Sequence, residues 1–276
     1  MTSRLSISLV IPALNEESHL AACLHAALAQ SRPFDEIIVV DNGSTDGTAA
    51  VVAAMPSVKL LREPRRGIAF ARNRGFNAAR GDIIARIDAD TLLPAHWAAH
   101  VEGFYADEAH MQSAWTGDGT FRDVPLAPFI SRVYRLMTVH INRALTGYSS
   151  LWGSSMALPR ALWRQVSEEV CAGRDFHEDL DLATHLHRRG VTIFVDKTIR
   201  VSALLRHAWG THRELWQYLQ LWPQTLRRHK QKTWVICWLG GTLGMYCATL
   251  ALAALRRRPA ATRLHAENQA PSALEV

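Results

Sequence analysis

The feature that most constrains this chain is the alternation, through its first third, of short apolar runs with helix-like segments. Leu5 to Ile11, Glu36 to Val40, Val58 to Leu61 and Asp82 to Ile87 are β-branched runs of strand length. Between the first two, Leu20, Cys23, Leu24, Ala27 and Leu28 recur at i, i+3, i+4, i+7 and i+8, which predicts one apolar helix face. A short helix is expected through Val51, Val52 and Met55, and another over Gly67 to Ala79. Strands alternating with helices predict an α/β fold, a doubly wound and mostly parallel sheet with helices on both faces. Ligands of such sheets bind beyond the carboxyl ends of the strands. Here those ends carry Asn15, Asp41 and Asp88, so three strand ends point to one site. Pro12 is read as the end of the first strand. Asn15 is read as the cap of the helix that follows, with Glu16 and Glu17 in its first turn.

Further along, Pro94 suits the first turn of a helix carrying Trp97, Val101 and Phe104, and Pro125 to Leu145 is helix-like. Gly153 to Leu158 reads as a strand, Pro159 as the opening of a helix, Asp175 to Arg189 as a helix with an acidic start, and Thr192 to Val195 as a late strand. The stretches Trp115 to Asp123 and Leu151 to Ser155 read as loops. A chain of 276 residues holds one α/β domain and an appendage. Apolar residues at 48% supply a full core, and charged residues at 20% argue against a disordered chain. Against 25 acidic residues stand 31 Lys and Arg, giving +6. The excess is concentrated near Arg227, Arg228, Lys230, Lys232 and Arg256 to Arg258. No recognised nucleic-acid module accompanies it, so no nucleic-acid partner is expected.

Cys23, Cys171, Cys237 and Cys247 have neither a zinc-like spacing nor the look of a disulfide framework, and they fit a reducing compartment. The N-terminus lacks a signal-peptide pattern, so the catalytic domain is expected on the cytoplasmic side of a membrane. Thr233 to Leu255 contains no charged residue and is long enough to span a bilayer. Gly240 and Gly244, continued by Ala248, permit close helix packing and a homodimer. Upstream, Trp209, Trp216, Tyr218 and Trp222 form an aromatic cluster of the kind found at membrane interfaces. The competing reading is a buried core helix with an aromatic cover. The organisation expected is a catalytic domain over residues 1–205, an interfacial aromatic and basic helical segment over 206–232, a transmembrane or membrane-inserted helix over 233–255, and a basic then flexible tail over 256–276.

The sharpest chemical element is Asp88-Ala89-Asp90 after an apolar strand. Residues i and i+2 of an extended chain project to one side, so two carboxylates can share a hard cation, Mg2+ or Mn2+. Alone, the same residues equally suit a turn that caps the next helix. They are accompanied by Pro12-Ala13-Leu14-Asn15-Glu16-Glu17, by Asp41-Asn42-Gly43-Ser44-Thr45-Asp46-Gly47-Thr48, by Arg66-Gly67 and Ala71-Arg72-Asn73-Arg74-Gly75, and by Glu178-Asp179. This ordered set, over residues 5 to 205, resembles the inverting family 2 glycosyltransferases of GT-A fold.

The resemblance implies a nucleotide-sugar donor. Pro12, Ala13, Asn15 and Glu16 would line its base and ribose, Asp41 would contact the base, and Asn42 and Ser44 would shape that loop. Arg72 and Asn73 would hold the nucleotide or its diphosphate. Asp88 would approach the ribose or the metal, and Asp90 would be the principal metal ligand. Asp179 would be the general base with Glu178 beside it, and Gly153, Ser154 and Ser155 would form the acceptor-side loop. Each has a plainer rival: Asn15 and Ser44 as caps, Arg72 as a solvated helix charge, and Glu178, Asp179 and Asp181 as first-turn acids favoured by the helix dipole. The QxxRW motif of the family's processive synthases is absent, since Tyr218, Leu221 and Trp222 stand at the nearest alignment. With a single apolar span, this argues for transfer of one sugar to a membrane-associated acceptor, lipid or lipid-linked. His207, beside Arg206, is a candidate third metal ligand or phosphate contact, although a lone His is more often structural. Two rivals stand beside this reading. A nucleotidyltransferase lacks support because Pro12 to Glu17 is acidic and free of Gly; a non-catalytic sugar-nucleotide-binding or scaffold protein is disfavoured by the presence of Asp90 and Asp179.

Overall fold

The structure is a computed structural model that describes residues 4–205 and 211–236 together with Gly240, Gly244, Tyr246 and Cys247. Strands run over Ile7–Ala13 (β1), Glu36–Asp41 (β2), Val58–Arg62 (β3), Ile83–Arg86 (β4), Ser113–Phe121 (β5), Met156–Pro159 (β6) and Thr192–Ala203 (β7). Helices lie over Leu20–Leu28 (α1), Thr48–Ala53 (α2), Ile68–Ala78 (α3), Trp97–Tyr105 (α4), Ala127–Arg135 (α5), Asn142–Thr146 (α6), Arg160–Val166 (α7), Glu178–Arg188 (α8) and His212–Arg228 (α9). A π-helical stretch, Leu136–Ile141, joins α5 to α6.

The strands make one seven-stranded sheet of order β3-β2-β1-β4-β6-β5-β7. β1 pairs in parallel with β2 and β4, β2 with β3, and β5 with β7. β6 is antiparallel to both its neighbours. Burial follows the period of two that a strand imposes. Ile7, Leu9 and Ile11 enter the core that α1 and α4 cover, whereas Val10 enters the core on the opposite face with Phe76 of α3 and Leu180 of α8. Gly75 lets α3 lie against the sheet, because a Cβ there would stand 3.0 Å from a Val40 methyl and closer still to Val10.

The antiparallel strand positions the site. Arg86, the last residue of β4, faces Met156, the first of β6. The loop just before β6, with Gly153 and Ser154, is therefore delivered to the carboxyl end of β4, where Asp88 follows.

Several expectations are corrected. Pro12 does not end β1; it pairs with Val40 inside the strand. Its missing N–H costs nothing, because Val10 and Pro12 face the β4 side and the β4 pairing stops at Arg86. Asn15 does not cap α1. The helix starts at Leu20 after a turn in which His19 and Leu20 donate to the Glu16 carbonyl, so its first turn holds no acid. Asn15 instead adopts φ 56°, a left-handed conformation that Asn tolerates better than most residues. Trp115 to Asp123, read as a loop, lies mostly in β5, and β7 runs well past Val195.

Among the described residues no helix is long and apolar enough to cross a membrane. Most of the run Thr233 to Leu255 lies outside them, including Ala248 of the small-residue spacing, as do His207 and Trp209. Part of the aromatic cluster has a packing role: the Trp222 ring sits 4.8 Å from the His177 ring, and Trp222 adds to the core beneath α8.

Candidate active site

The loops after β1 and β2 are stitched to each other. The Asn15 N–H donates to Ser44 Oγ at 3.0 Å, and the Thr45 N–H donates to Asn15 Oδ1 at 2.8 Å. The Glu16 N–H donates to Thr48 Oγ1 and the Gly47 N–H to Glu17 Oε2, both at 2.7 Å. Asp41, nearly buried, accepts from the Ser44 N–H at 2.8 Å. Asn42 clasps the stretch after β3: its Nδ2 donates to the carbonyls of Glu63 and Arg65, and its Oδ1 accepts from the Gly67 N–H. Gly67, at φ 143°, occupies a backbone region that favours glycine. The amide of Asn42 is thus committed to shaping the loop.

At the end of β4 lies the residue that organises the rest. Arg86 is 1% exposed, and its guanidinium donates to three carboxylates: Asp88 Oδ1 at 2.8 Å, Glu178 Oε1 at 3.2 Å, and Asp179 Oδ1. Asp88 Oδ2 accepts from Ser154 Oγ at 2.6 Å, and Asp179 Oδ2 from the Gly153 N–H at 2.7 Å. Gly153 is required here, since a Cβ would stand 2.6 Å from Arg86 Cζ. Sequence reasoning passed over Arg86. The signal was a charged residue in an apolar strand, two positions before Asp88 and so on its side of the strand.

Glu178 and Asp179 form the first turn of α8, and both are buried. Burial pushes the Asp179 carboxyl up to about 6, with Arg86 pulling the other way. In Glu178 burial is outweighed by Arg86, His177 and Arg72, and its carboxyl falls below the usual range. Arg72 is not the solvated helix charge of the plainer reading. It is fully buried, with Nη1 donating to the Glu178 carbonyl at 2.7 Å and Nε to Asn73 Oδ1 at 3.0 Å. It braces α8 from beneath, and Asn73 orients it. Ser155 Oγ accepts from Trp97 Nε1 at 3.0 Å.

Asp90 is 3% exposed and lies in the turn that Asp88 opens, where the Thr91 N–H donates to the Asp88 carbonyl at 3.0 Å. Burial, then the negative charges of Asp90, Asp88 and Glu16, push the Cys23 thiol well above its ordinary value. Beside the acidic pair, Tyr134, Trp152, His177 and Trp222 line a cavity. Tyr134 is hydrogen-bonded to Tyr218, and burial, then the charge of Asp179, push its phenol up. Pro12 and Ala13 are buried at the end of β1. The arrangement brings together the carboxylates of Asp88 and Asp90 after β4, the buried carboxyls of Glu178 and Asp179, and an aromatic-lined cavity beside them.

Comparison with known proteins agrees with this geometry. A family model described as "Glycosyl transferase family 2" matches residues 8–147. The chain is 34% identical over 105 residues to "Glycosyltransferase AglE" of Haloferax volcanii, covering 35% of this chain and 34% of that one. It is 39% identical over 112 residues to "Succinoglycan biosynthesis protein ExoO" of Rhizobium meliloti, covering 39% and 32%. The match thus spans about a third of the length of these curated relatives. Among solved structures, a mannosyltransferase from Pyrobaculum calidifontis, in complex with GDP-Man and Mn2+, superposes with a TM-score of 0.62 at 24% identity, over 97% of this chain and 80% of that one. The family model covers half of the chain and the sheet supports its fold: this chain belongs to glycosyl transferase family 2.

Proposed function

We propose that this glycosyltransferase moves one sugar from a nucleotide-sugar donor to a hydroxyl of a membrane-associated acceptor, lipid or lipid-linked, with inversion at the anomeric carbon. The observation that carries the reading is the single guanidinium of Arg86, which ties Asp88 of the strand-end acidic pair to Asp179 of the acceptor side. Donor and acceptor groups are thereby held in fixed relation, as a direct displacement needs.

In this reading Asp179 takes the proton of the acceptor hydroxyl. Both its oxygens already accept one hydrogen bond, and a carboxylate oxygen has room for a second. The acceptor oxygen bonds to the anomeric carbon while the bond from that carbon to the diphosphate oxygen breaks, and its electron pair leaves with the diphosphate. Asp90 and Asp88 offer an all-oxygen donor set that suits Mg2+ or Mn2+, which would neutralise charge on the departing diphosphate. The mannosyltransferase from Pyrobaculum calidifontis, in complex with GDP-Man and Mn2+, supports that choice by analogy.

A membrane-associated acceptor is supported by Leu126, Phe129, Val133 and Leu136, large apolar side chains exposed on and beside α5. The exposed Arg132 accompanies them, a combination suited to a bilayer surface. The uncharged run from Thr233 to Leu255 adds to this.

The test separates the two acids. Thermal shift of detergent-purified protein against a panel of nucleotide sugars, with and without Mn2+, should show stabilisation by one nucleotide class only with metal. Asp90→Ala should remove that shift. Asp179→Asn should keep it and abolish transfer. Equal loss of both functions in both folded variants would refute the division of roles.

A further inference from the structure

Further along α8 from the acidic pair, on the face that Glu178 shares, four groups that the reaction does not use come together. Asp181 and His185 sit one turn apart on α8, Cys171 lies in the loop between α7 and α8, and His229 closes the C-terminus of α9. Their donor atoms all lie within 4.8 Å of one another. Asp181 is fully buried, and both histidines are 7% exposed. We propose that Cys171, Asp181, His185 and His229 form a structural site for a borderline divalent cation, Zn2+ being the expected occupant.

The donor set and its surroundings point the same way. One thiolate, two imidazoles and one carboxylate is a mixed N, S and O set that favours Zn2+ over Mg2+ or Mn2+. The all-oxygen pair Asp88 and Asp90 has the opposite preference, so the two places select different ions. His185 Nε2 is buried, has no hydrogen-bond partner, and points into the cluster 3.6 Å from Asp181 Oδ1. A buried ring nitrogen without a partner is costly unless something fills the gap. On the other side of that ring, Nδ1 stands 3.8 Å from Glu169 Oε2, the place of an outer carboxylate that fixes a ligating imidazole.

Asp181 is prepared to offer one oxygen. Its Oδ2 accepts from the Cys171 N–H at 2.9 Å, which leaves Oδ1 facing His229 Nε2 at 2.8 Å. The cation takes the place of the proton between them: the ring carries its remaining proton on Nδ1, and Nε2 turns its lone pair inward. Thiolate ligation by Cys171 releases its proton on metal uptake. The occupied site would join the end of α9 to α8, further along the helix from Glu178 and Asp179.

The experiment uses the untagged full chain, stripped with a chelator and dialysed free of it. Titration with Zn2+ should show one tight equivalent, with a rise in melting temperature. Titration with Co2+ should give the absorption of a thiolate bound to cobalt. Cys171→Ser should lose that absorption, and both it and His185→Gln should weaken zinc binding by more than the roughly 10- to 100-fold that an outer partner costs. Asp90→Ala should bind zinc like the parent. The proposal is overturned if the parent takes up no stoichiometric zinc and shows no thiolate-to-cobalt band, or if Cys171→Ser and His185→Gln bind as tightly as the parent. Melting in metal-free buffer checks that the variants fold, and the cobalt spectrum of the parent decides the matter should they not.

Discussion

Arg86→Met isolates the contribution of the central guanidinium. The side chain of Arg86 is 1% exposed, those of Asp179 and Glu178 are 6% and 11%, and that of Asp88 is 28%. Removing one partner of a buried ion pair costs about 3–5 kcal/mol, because the other charge stays buried and uncompensated. The Asp88 pair, partly screened by solvent, adds little to this. The variant should therefore lose roughly 4 kcal/mol near neutral pH, a large part of the ~5–15 kcal/mol typical of a domain. The sign with pH follows from Arg86 lowering the pKa of both Glu178 and Asp179. Without it both folded pKa values rise above their unfolded values, so the folded variant binds more protons than the unfolded chain. Stability contributed by such groups is full below the unfolded pKa and is lost as pH rises through the folded one. Urea unfolding followed by tryptophan fluorescence should thus show a deficit that shrinks on going from about pH 7.5 to about pH 5. A deficit below about 1 kcal/mol at neutral pH, or one equal at both pH values, would refute the assignment of Arg86 as counter-charge to the pair. Arg86→Lys, which keeps the charge but not the planar fork, should recover stability while leaving transfer impaired.

Transfer should fall on the acid side with an apparent pKa near 6, since only ionised Asp179 accepts the hydroxyl proton; kcat measured across pH reads this limb. Gly153→Ala puts a Cβ against the Arg86 guanidinium, so it should cost about 1–3 kcal/mol in chemical denaturation and depress transfer more than donor binding. Asn42→Ala removes three hydrogen bonds to the backbone of residues 63 to 67 and should cost roughly 2–3 kcal/mol, read by the same denaturation, while weakening donor binding.

The first four strands and their helices were legible because β-branched runs and helical spacing dominate there, and Asp41 and Asp88 mark strand ends in both sequence and structure. β5 was not. Its sequence, SAWTGDGTF, carries two glycines that read as a turn. They are present because a Cβ at Gly117 would meet the Trp115 ring at 2.8 Å, and one at Gly119 would meet the Trp152 ring at 2.6 Å. β7 was cut short at Val195 because Asp196 and Lys197 break its apolar run, although Asp196 is buried and accepts from Trp115 Nε1 at 3.2 Å. The order of Asp41, Asp88, Asp90 and Asp179 pointed to the family, but no spacing announced that one arginine joins three acids or that Arg72 is wholly buried. The cluster of Cys171, Asp181, His185 and His229 escaped for the same reason. Only Asp181 and His185 share a helix turn, and tertiary packing supplies the rest.

The stitching of the loops after β1 and β2 has a consequence for ligand capture. Asn15, Glu16, Glu17 and Asn42 have already fixed these segments through backbone donors and acceptors before anything arrives. In the proposed function, a nucleotide settling on them would meet a surface with little freedom left to surrender, and its association would resemble docking onto a rigid template. The same rigidity makes discrimination a matter of shape. In the proposed function, a base that does not match the outline of these loops cannot recruit a rearrangement of one loop without breaking its bonds to the other.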